Sequence, residues 1–241
     1  WGPNLRGYGN SSRPEGLQAY RLDELVEDVA RLIEASGKSE VTLIAHDWGA
    51  VIAWQFALRK RLPLQRLIIC NVPHPQAMQD AFGWTQLKKS WYVLFFQLPW
   101  LPEYLLGKDR AEPIAEMFRK TSANAAQFPT EVREVYRRNA AQPGALTAMV
   151  NFYRALLRGE RSRPRVDPRT PIDVPTLMVW GEDDVALDKS TTLTTADYVS
   201  DFTIRYLPGV SHWVQQEQPE AVNNMIKAFI EGNPVPEYRP G

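Results

Sequence analysis

The stretch Val41-Thr-Leu-Ile-Ala-His-Asp47-Trp-Gly49-Ala50 limits the possible folds more than any other part of the chain. Val41 to Ala45 has strand-forming character. A helical pattern of Val51, Ile52, Trp54, Phe56, Ala57 and Leu58 begins directly after His46-Asp47-Trp48-Gly49. A strand that stops at a small-X-acid-X-Gly turn and becomes a helix has the layout of a nucleophile elbow. Such a sharp turn lifts one side chain clear of the sheet edge and requires small neighbours. The lifted side chain would be the carboxylate of Asp47, a nucleophile suited to displacement at a saturated carbon, which leaves an alkyl ester on the protein. The same residues also suit an Asp that caps the next helix, so the rest of the chain has to decide.

Arg21 to Ala35 places Leu22, Leu25, Val26, Val29, Leu32 and Ile33 on one helical face, and Ser36-Gly37 ends it. A strand of buried type follows the elbow helix at Leu67–Cys70. This alternation predicts an α/β fold, a mostly parallel sheet with helices on both faces. After Asn71-Val-Pro-His-Pro75 the strand rhythm breaks. From Gln76 to about Arg158 the sequence is helical and rich in aromatics, and it ends in the Pro/Arg-rich run Arg158 to Pro171. The expected organisation is a core of residues 1–75 and 166–241 with a helical cap inserted at 76–165. The sheet resumes at Thr176–Trp180, followed by a helix near 188–199 and a strand at Phe202–Leu207. A last helix runs from Pro219 to Ile230, with Gly232 beyond its end.

Lys plus Arg and Asp plus Glu both number 28, so no net field recruits nucleic acid or an anionic membrane surface. The single cysteine, Cys70, excludes an internal disulfide framework. Trp1-Gly-Pro-Asn-Leu-Arg6 lacks the pattern of a secretory signal. The most hydrophobic stretch, Trp91 to Leu106, is too short and too interrupted, by Gln97, Pro99, Pro102 and Glu103, to span a bilayer. A cytoplasmic globular protein is expected, with neither nucleic acid nor membrane as partner. Its oligomeric state stays open.

An alkyl ester on Asp47 needs a second agent to release it, and a His acting as general base on water, oriented by a carboxylate, is the usual solution. His46 lies inside the elbow and faces away from Asp47 if the strand alternates there. His74, between two prolines, reads as a structural residue at the start of the insertion. His212 follows a strand end, on the side where an open α/β sheet binds ligands. The orienting acid should also follow a strand, and Gly181-Glu-Asp-Asp184 offers Glu182, Asp183 and Asp184, among which spacing does not choose.

Arg6-Gly-Tyr-Gly9, His46-Asp-Trp-Gly49, Asn71-Val-Pro-His-Pro75, Gly181-Glu-Asp-Asp184 and Ser211-His-Trp213 resemble the soluble epoxide hydrolases of the α/β-hydrolase fold. The resemblance covers nearly the whole chain, cap included. It implies hydrolysis of a small apolar epoxide to a vicinal diol through an aspartyl ester, with no metal or organic cofactor. The implied nucleophile is Asp47, with Asp184 as the acid that orients His212 and the Trp48 N–H as an oxyanion donor. Two cap tyrosines are implied as well: Tyr92, in a Tyr-X-X-X-Phe-Gln stretch, and Tyr153, in Asn151-Phe-Tyr153-Arg154. An epoxide leaves as an alkoxide, which a phenol can both hydrogen-bond and protonate. Trp91, Phe95 and Trp213 are the candidate substrate contacts.

Some positions depart from that family. Ala45 and Ala50 stand where glycines are common, and Asn4 stands where an Asp precedes the Arg-Gly-Tyr-Gly loop. The family's first strands and its His-Gly-X-Pro loop, which supplies the other half of the oxyanion hole, are not found. The N-terminal part of the sheet is therefore expected to lie outside the given sequence. Two other functions fit parts of the pattern: a haloalkane or haloacid dehalogenase of the same fold, and a non-catalytic ligand-binding member of it.

Overall fold

The computed structural model describes residues 1–159 and 166–239. The expected end of the cap at 165, and part of the linker before it, lie outside the described residues. In chain order the elements are α1 (Leu22–Ser36), β1 (Val41–His46), α2 (Trp48–Leu58), β2 (Leu64–Cys70), α3 (Pro75–Asp80) and α4 (Trp84–Lys89). Then come α5 (Trp91–Phe95), α6 (Leu101–Leu106), α7 (Lys108–Thr121), α8 (Thr130–Ala140) and α9 (Ala145–Arg158). The chain closes with β3 (Thr176–Gly181), β4 (Phe202–Leu207), α10 (Val214–Glu217) and α11 (Pro219–Glu231).

Two compact units result: Trp1–Leu25 with Ser90–Pro164, and Val26–Lys89 with Arg165–Gly241. Residues 1–25 thus group with the helical segment and 76–89 with the sheet. Packing explains both placements. Tyr8 and Tyr20 meet the ring of Phe152 at 5.6 and 5.7 Å, and Arg13 donates to Gln142 at 2.7 Å. In the other unit, the buried Gln86 of α4 donates to Ala186 O at 3.0 Å and accepts from Asp188 N at 2.8 Å.

The sheet of the second unit runs β1-β2-β3-β4, with every described pairing parallel. Its two inner strands alternate faces, as the period of two requires. Leu67, Ile69, Met178 and Trp180 pack with Ala50, Ala53, Trp54 and Ala57 of α2. Ile68, Cys70, Leu177 and Val179 pack with Val214, Val222 and Met225 of α10 and α11. Helices on both faces explain why β3 is buried along its whole length and apolar from Leu177 to Trp180. The indole N–H of Trp54 is satisfied inside the core by Val72 O, 3.1 Å away. β1 is an outer strand of the described sheet, and its Ile44 is 49% exposed. Among the described residues no helix is long and apolar enough to cross a membrane.

The helix expected near 188–199 is instead two short 3₁₀ turns, Lys189–Thr192 and Thr195–Asp197. The run is rich in Ser and Thr, whose hydroxyls bond nearby backbone and compete with a regular helix. Thr191 donates to Asp188 O at 2.6 Å and Thr192 to Lys189 O at 2.8 Å. The other expected elements are present, with β2 extended back to Leu64.

Gly181 ends β3 where the loop after β4 crosses it. A methyl group there would lie 2.0 Å from Ser211 O and 2.5 Å from Val210 O, both backbone atoms. Gly181→Ala should therefore displace the loop that carries His212 and cost about 1–3 kcal/mol, the range for overpacking. Urea unfolding of the variant against the parent checks this, and an unchanged midpoint would contradict the close approach.

Candidate active site

Each functional candidate of the sheet unit stands at or just beyond a strand's carboxyl end, and a parallel sheet gathers those ends on one edge. Asp47 follows β1 with φ 50° and ψ −127°, a backbone conformation rare for a non-glycine residue. The turn is held by its own bonds: Ala50 N and Val51 N donate to Asp47 O at 2.9 and 3.0 Å, and Trp48 N donates to Asp47 Oδ1 at 2.6 Å. A methyl built on Gly49 would sit 3.9 Å from the Cβ of Ala45, ordinary contact, so Ala45 is small enough for the turn.

His212 bridges two carboxylates. Its Nε2 lies 3.1 Å from Asp47 Oδ2 and its Nδ1 lies 2.7 Å from Asp184 Oδ2. The side chain of Asp184 is fully buried and that of His212 nearly so, whereas that of Asp47 remains 45% exposed. Of the three acids in the β3 loop, Asp184 is the one that meets His212; Glu182 pairs with Lys189 and Asp183 is exposed. Asp184 Oδ1 accepts from Ala186 N at 2.7 Å and Leu187 N at 2.9 Å. Its Oδ2 also accepts from Asn71 Nδ2 at 2.8 Å.

Charge follows from this geometry. Burial works against a charged imidazole, but the charges of Asp184 and Asp47 and their hydrogen bonds outweigh it and push His212 up to about 10. Partial desolvation opposes ionisation of the half-exposed Asp47, yet the bond to His212 and its charge bring the carboxyl down to about 2. Asp184 is held below the usual carboxylate range against the same burial, chiefly by the charge and bond of His212. At neutral pH the resting site is an imidazolium between two carboxylates.

Three residues beside the site were given no role in it from the sequence, His46 having been set aside as facing away. His46 donates from Nε2 to His212 O at 2.9 Å, and its Nδ1 accepts from Gln215 at 3.2 Å. Its ring lies 4.6 Å from that of His212. Simple strand alternation does not describe this position because Asp47 leaves the extended conformation. Glu217 accepts from the Ser211 hydroxyl at 2.5 Å and from Ser211 N at 3.0 Å, fixing the residue before His212. Asn71 carried a sequence signal only as part of the Asn-Val-Pro-His-Pro motif. His74 is buried, caps α3 through Gln76 N at 3.2 Å and stacks on Tyr198, a packing role. Trp213 stands edge-on to His212 at 5.0 Å.

The helical unit brings the two candidate tyrosines together. The rings of Tyr92 and Tyr153 lie 5.8 Å apart at 83°, and Phe96 packs 4.8 Å from Tyr153. Their sequence stretches interlock: Gln97 donates to Tyr153 O at 3.2 Å, and Arg154 donates to Phe96 O at 3.0 Å while pairing with Glu103 at 2.5 Å. Phe95 is half-buried, 6.0 Å from the ring of Trp91, which is exposed. Among the described residues no group of three or more His, Cys, Asp or Glu is placed to hold a metal ion.

The sequence profile described as the alpha/beta hydrolase fold matches residues 1–219. The chain belongs to that family. Among curated relatives, this α/β-hydrolase is 35% identical to "Epoxide hydrolase 2" of Caenorhabditis elegans, over 98% of its own length and 66% of the relative's. It thus spans just under two thirds of that protein. It is 34% identical to the "AB hydrolase superfamily protein YfhM" of Bacillus subtilis, over 95% and 79% of the two chains. Among solved structures it superposes on a Bacillus megaterium epoxide hydrolase in complex with an inhibitor. The TM-score is 0.82 and the identity 29%, with 95% of this chain and 82% of that one covered.

The charges in this α/β-hydrolase fix the sign of its pH dependence. His212 titrates at about 10 folded and 6.5 unfolded, so its contribution is complete below pH 6.5 and lost as pH rises through 10. Burial lowers His46 and His74 to about 4, so stability also falls as pH drops from 6.5 to 4, where the unfolded imidazoles take up protons. Urea midpoints should peak near neutrality. His212→Gln should flatten the alkaline limb and His74→Gln should weaken the acid one. An alkaline limb that is unchanged in His212→Gln would refute the charge assignment.

Proposed function

We propose that the protein hydrolyses epoxides to vicinal diols through a covalent ester on Asp47. The observation that carries this reading is the bridge of His212 between Asp47 and Asp184 at 3.1 and 2.7 Å. It is supported by the facing phenols of Tyr92 and Tyr153 and by relatives whose names are epoxide hydrolases. The helical unit takes the role of cap.

In the first step Asp47 Oδ2 attacks one epoxide carbon and the C–O bond of the ring breaks. The departing alkoxide takes a proton from Tyr92 or Tyr153, which hydrogen-bond it. Oδ1, held by the Trp48 N–H at 2.6 Å, becomes the ester carbonyl oxygen. Esterification removes the negative charge of Asp47, so the imidazolium loses one of the two carboxylates that hold its proton. It releases that proton, and the phenol is restored. Neutral His212 then takes a proton from water, and the oxygen of that water attacks the ester carbonyl. The Trp48 N–H stabilises the oxyanion, and the intermediate collapses as the imidazolium gives its proton to the leaving alkoxide; the new carboxyl group of Asp47 then passes its proton to His212, restoring the carboxylate and the imidazolium. The net reaction consumes one water and no protons. Trp91, Phe95 and Trp213 form apolar contacts with the substrate, and the cytoplasm is the proposed compartment.

Single turnover of styrene oxide in ¹⁸O-water should label the Asp47 carboxylate and leave the first diol unlabelled; label in that first diol would exclude the ester. His212→Gln should accumulate protein heavier by the mass of the epoxide, and Asp47→Asn should not. Tyr92→Phe and Tyr153→Phe should each lower kcat/KM about a hundredfold, the scale for losing one donor to a developing oxyanion. Halide release from haloalkanes, with no diol from any epoxide tested, would replace this reading with a dehalogenase.

A further inference from the structure

We propose that Asn71 is a positioning residue for the second half-reaction, setting through Asp184 the basicity of His212. This rests on the aspartyl-ester reading above. Asn71 follows β2, the remaining strand of the described sheet whose carboxyl end carries none of the proposed reacting groups. It is fully buried. Its Nδ2 donates to Asp184 Oδ2 at 2.8 Å and to Gly181 O at 3.3 Å, and its Oδ1 accepts from Gly181 N at 2.9 Å. The side-chain amide thus grips the β3 backbone on both sides and points its free donor at the oxygen that also receives His212 Nδ1.

The backbone supports the same conclusion. Asn71 has φ 46°, a left-handed conformation that disfavours most side chains and that Asn tolerates better than most. Its own N–H still bonds Val179 O at 3.0 Å, so the residue stays in register while its side chain turns toward Asp184. A purely structural link between β2 and β3 needs only the two bonds to Gly181. The third bond falls on the acid.

Its chemical effect has a sign. A donor on Oδ2 stabilises the carboxylate and weakens its pull on the His212 proton. Without it Asp184 is more basic, and the imidazolium persists to higher pH in the ester, where His212 must be neutral to act. The other charged or titratable groups around the pair are Asp47 and His46, Lys89 with its ammonium 2.7 Å from Asp184 O, Asp188 beside Lys89, and Glu217 behind Ser211. Of the described contacts to the acid's carboxylate, those other than His212 and Asn71 are backbone N–H groups.

Asn71→Gly tests this without left-handed strain. Because kcat/KM reports ester formation and kcat the slower of the two steps, the variant should lose about tenfold or more in kcat, the scale of one hydrogen bond to a charge. KM should fall with it, kcat/KM should stay close to the parent value, and ester should build up in quenched samples. The acid limb of the kcat profile should move up by about one pH unit. Asn71→Ala lacks the same donor and loses less chain entropy on folding than glycine, so it should move that limb in the same direction if the glycine variant does not fold. Equal losses in kcat and kcat/KM without ester, or an acid limb unmoved in whichever variants fold, would overturn the assignment. His212→Gln run alongside separates the two readings. Ester there but none in Asn71→Gly overturns the role of Asn71 alone, whereas no ester in either overturns the covalent route and this role with it.

Discussion

The imidazole of His212 held between Asp47 and Asp184 is the interaction on which the other features of the sheet unit converge. A buried carboxylate and a buried imidazole beside a second, half-exposed carboxylate are unfavourable unless each is paired and hydrogen-bonded. Here the pairing is close to complete. Asp184 receives two backbone N–H groups and an amide, Asp47 receives the Trp48 N–H, and the backbone of His212 is bonded by His46. The arrangement is costly to assemble and demands rigid supports.

Those supports come from the sheet. Parallel pairing from β1 to β4 puts the residues after His46, Cys70, Gly181 and Leu207 on a common edge. A sheet covered by helices on both faces keeps that edge in register, because a one-residue slip would move Leu67, Ile69, Met178 and Trp180 to the wrong side. Gly181 is the point where this geometry is tightest, since the His212 loop passes over it at backbone contact distance. The position of the imidazole is thus coupled to the end of β3 twice, through the loop above Gly181 and through Asp184 three residues later.

Much of this was legible in the sequence, for physical reasons that vary by residue. The elbow at Asp47 was readable because a strand, a small-residue turn and a helix leave a local pattern. The fold class was readable because buried parallel strands are apolar runs separated by amphipathic helices. Asp184 could not be separated from Glu182 and Asp183 by spacing, since only burial and the direction of its side chain distinguish them. The 3₁₀ turns in place of a helix after Asp188 arise from hydroxyl-to-backbone bonds that periodicity does not register. Residues 1–25 and 76–89 grouped differently from the boundary drawn at Pro75, because Tyr8, Tyr20 and Gln86 find their partners far along the chain. Asn71 and Glu217 were invisible as supports for the same reason: a buried amide or carboxylate acquires its meaning from long-range contacts.

In the proposed reaction the charge balance of the His212 bridge also orders the two steps. The resting group of two carboxylates and one imidazolium carries a net charge of minus one, and an imidazole pushed up to about 10 is no base at neutral pH. Water beside it is therefore not activated before substrate arrives. Alkylation of Asp47 neutralises one carboxylate, and the remaining pair with Asp184 holds the proton less tightly, so general-base capacity appears when there is an ester to hydrolyse. For this to work Asp184 must be strong enough to orient the ring and weak enough to let the proton go. Two backbone donors on one oxygen and an amide on the other set that compromise. The amide is the member of the set that a point substitution can remove without altering the backbone donors.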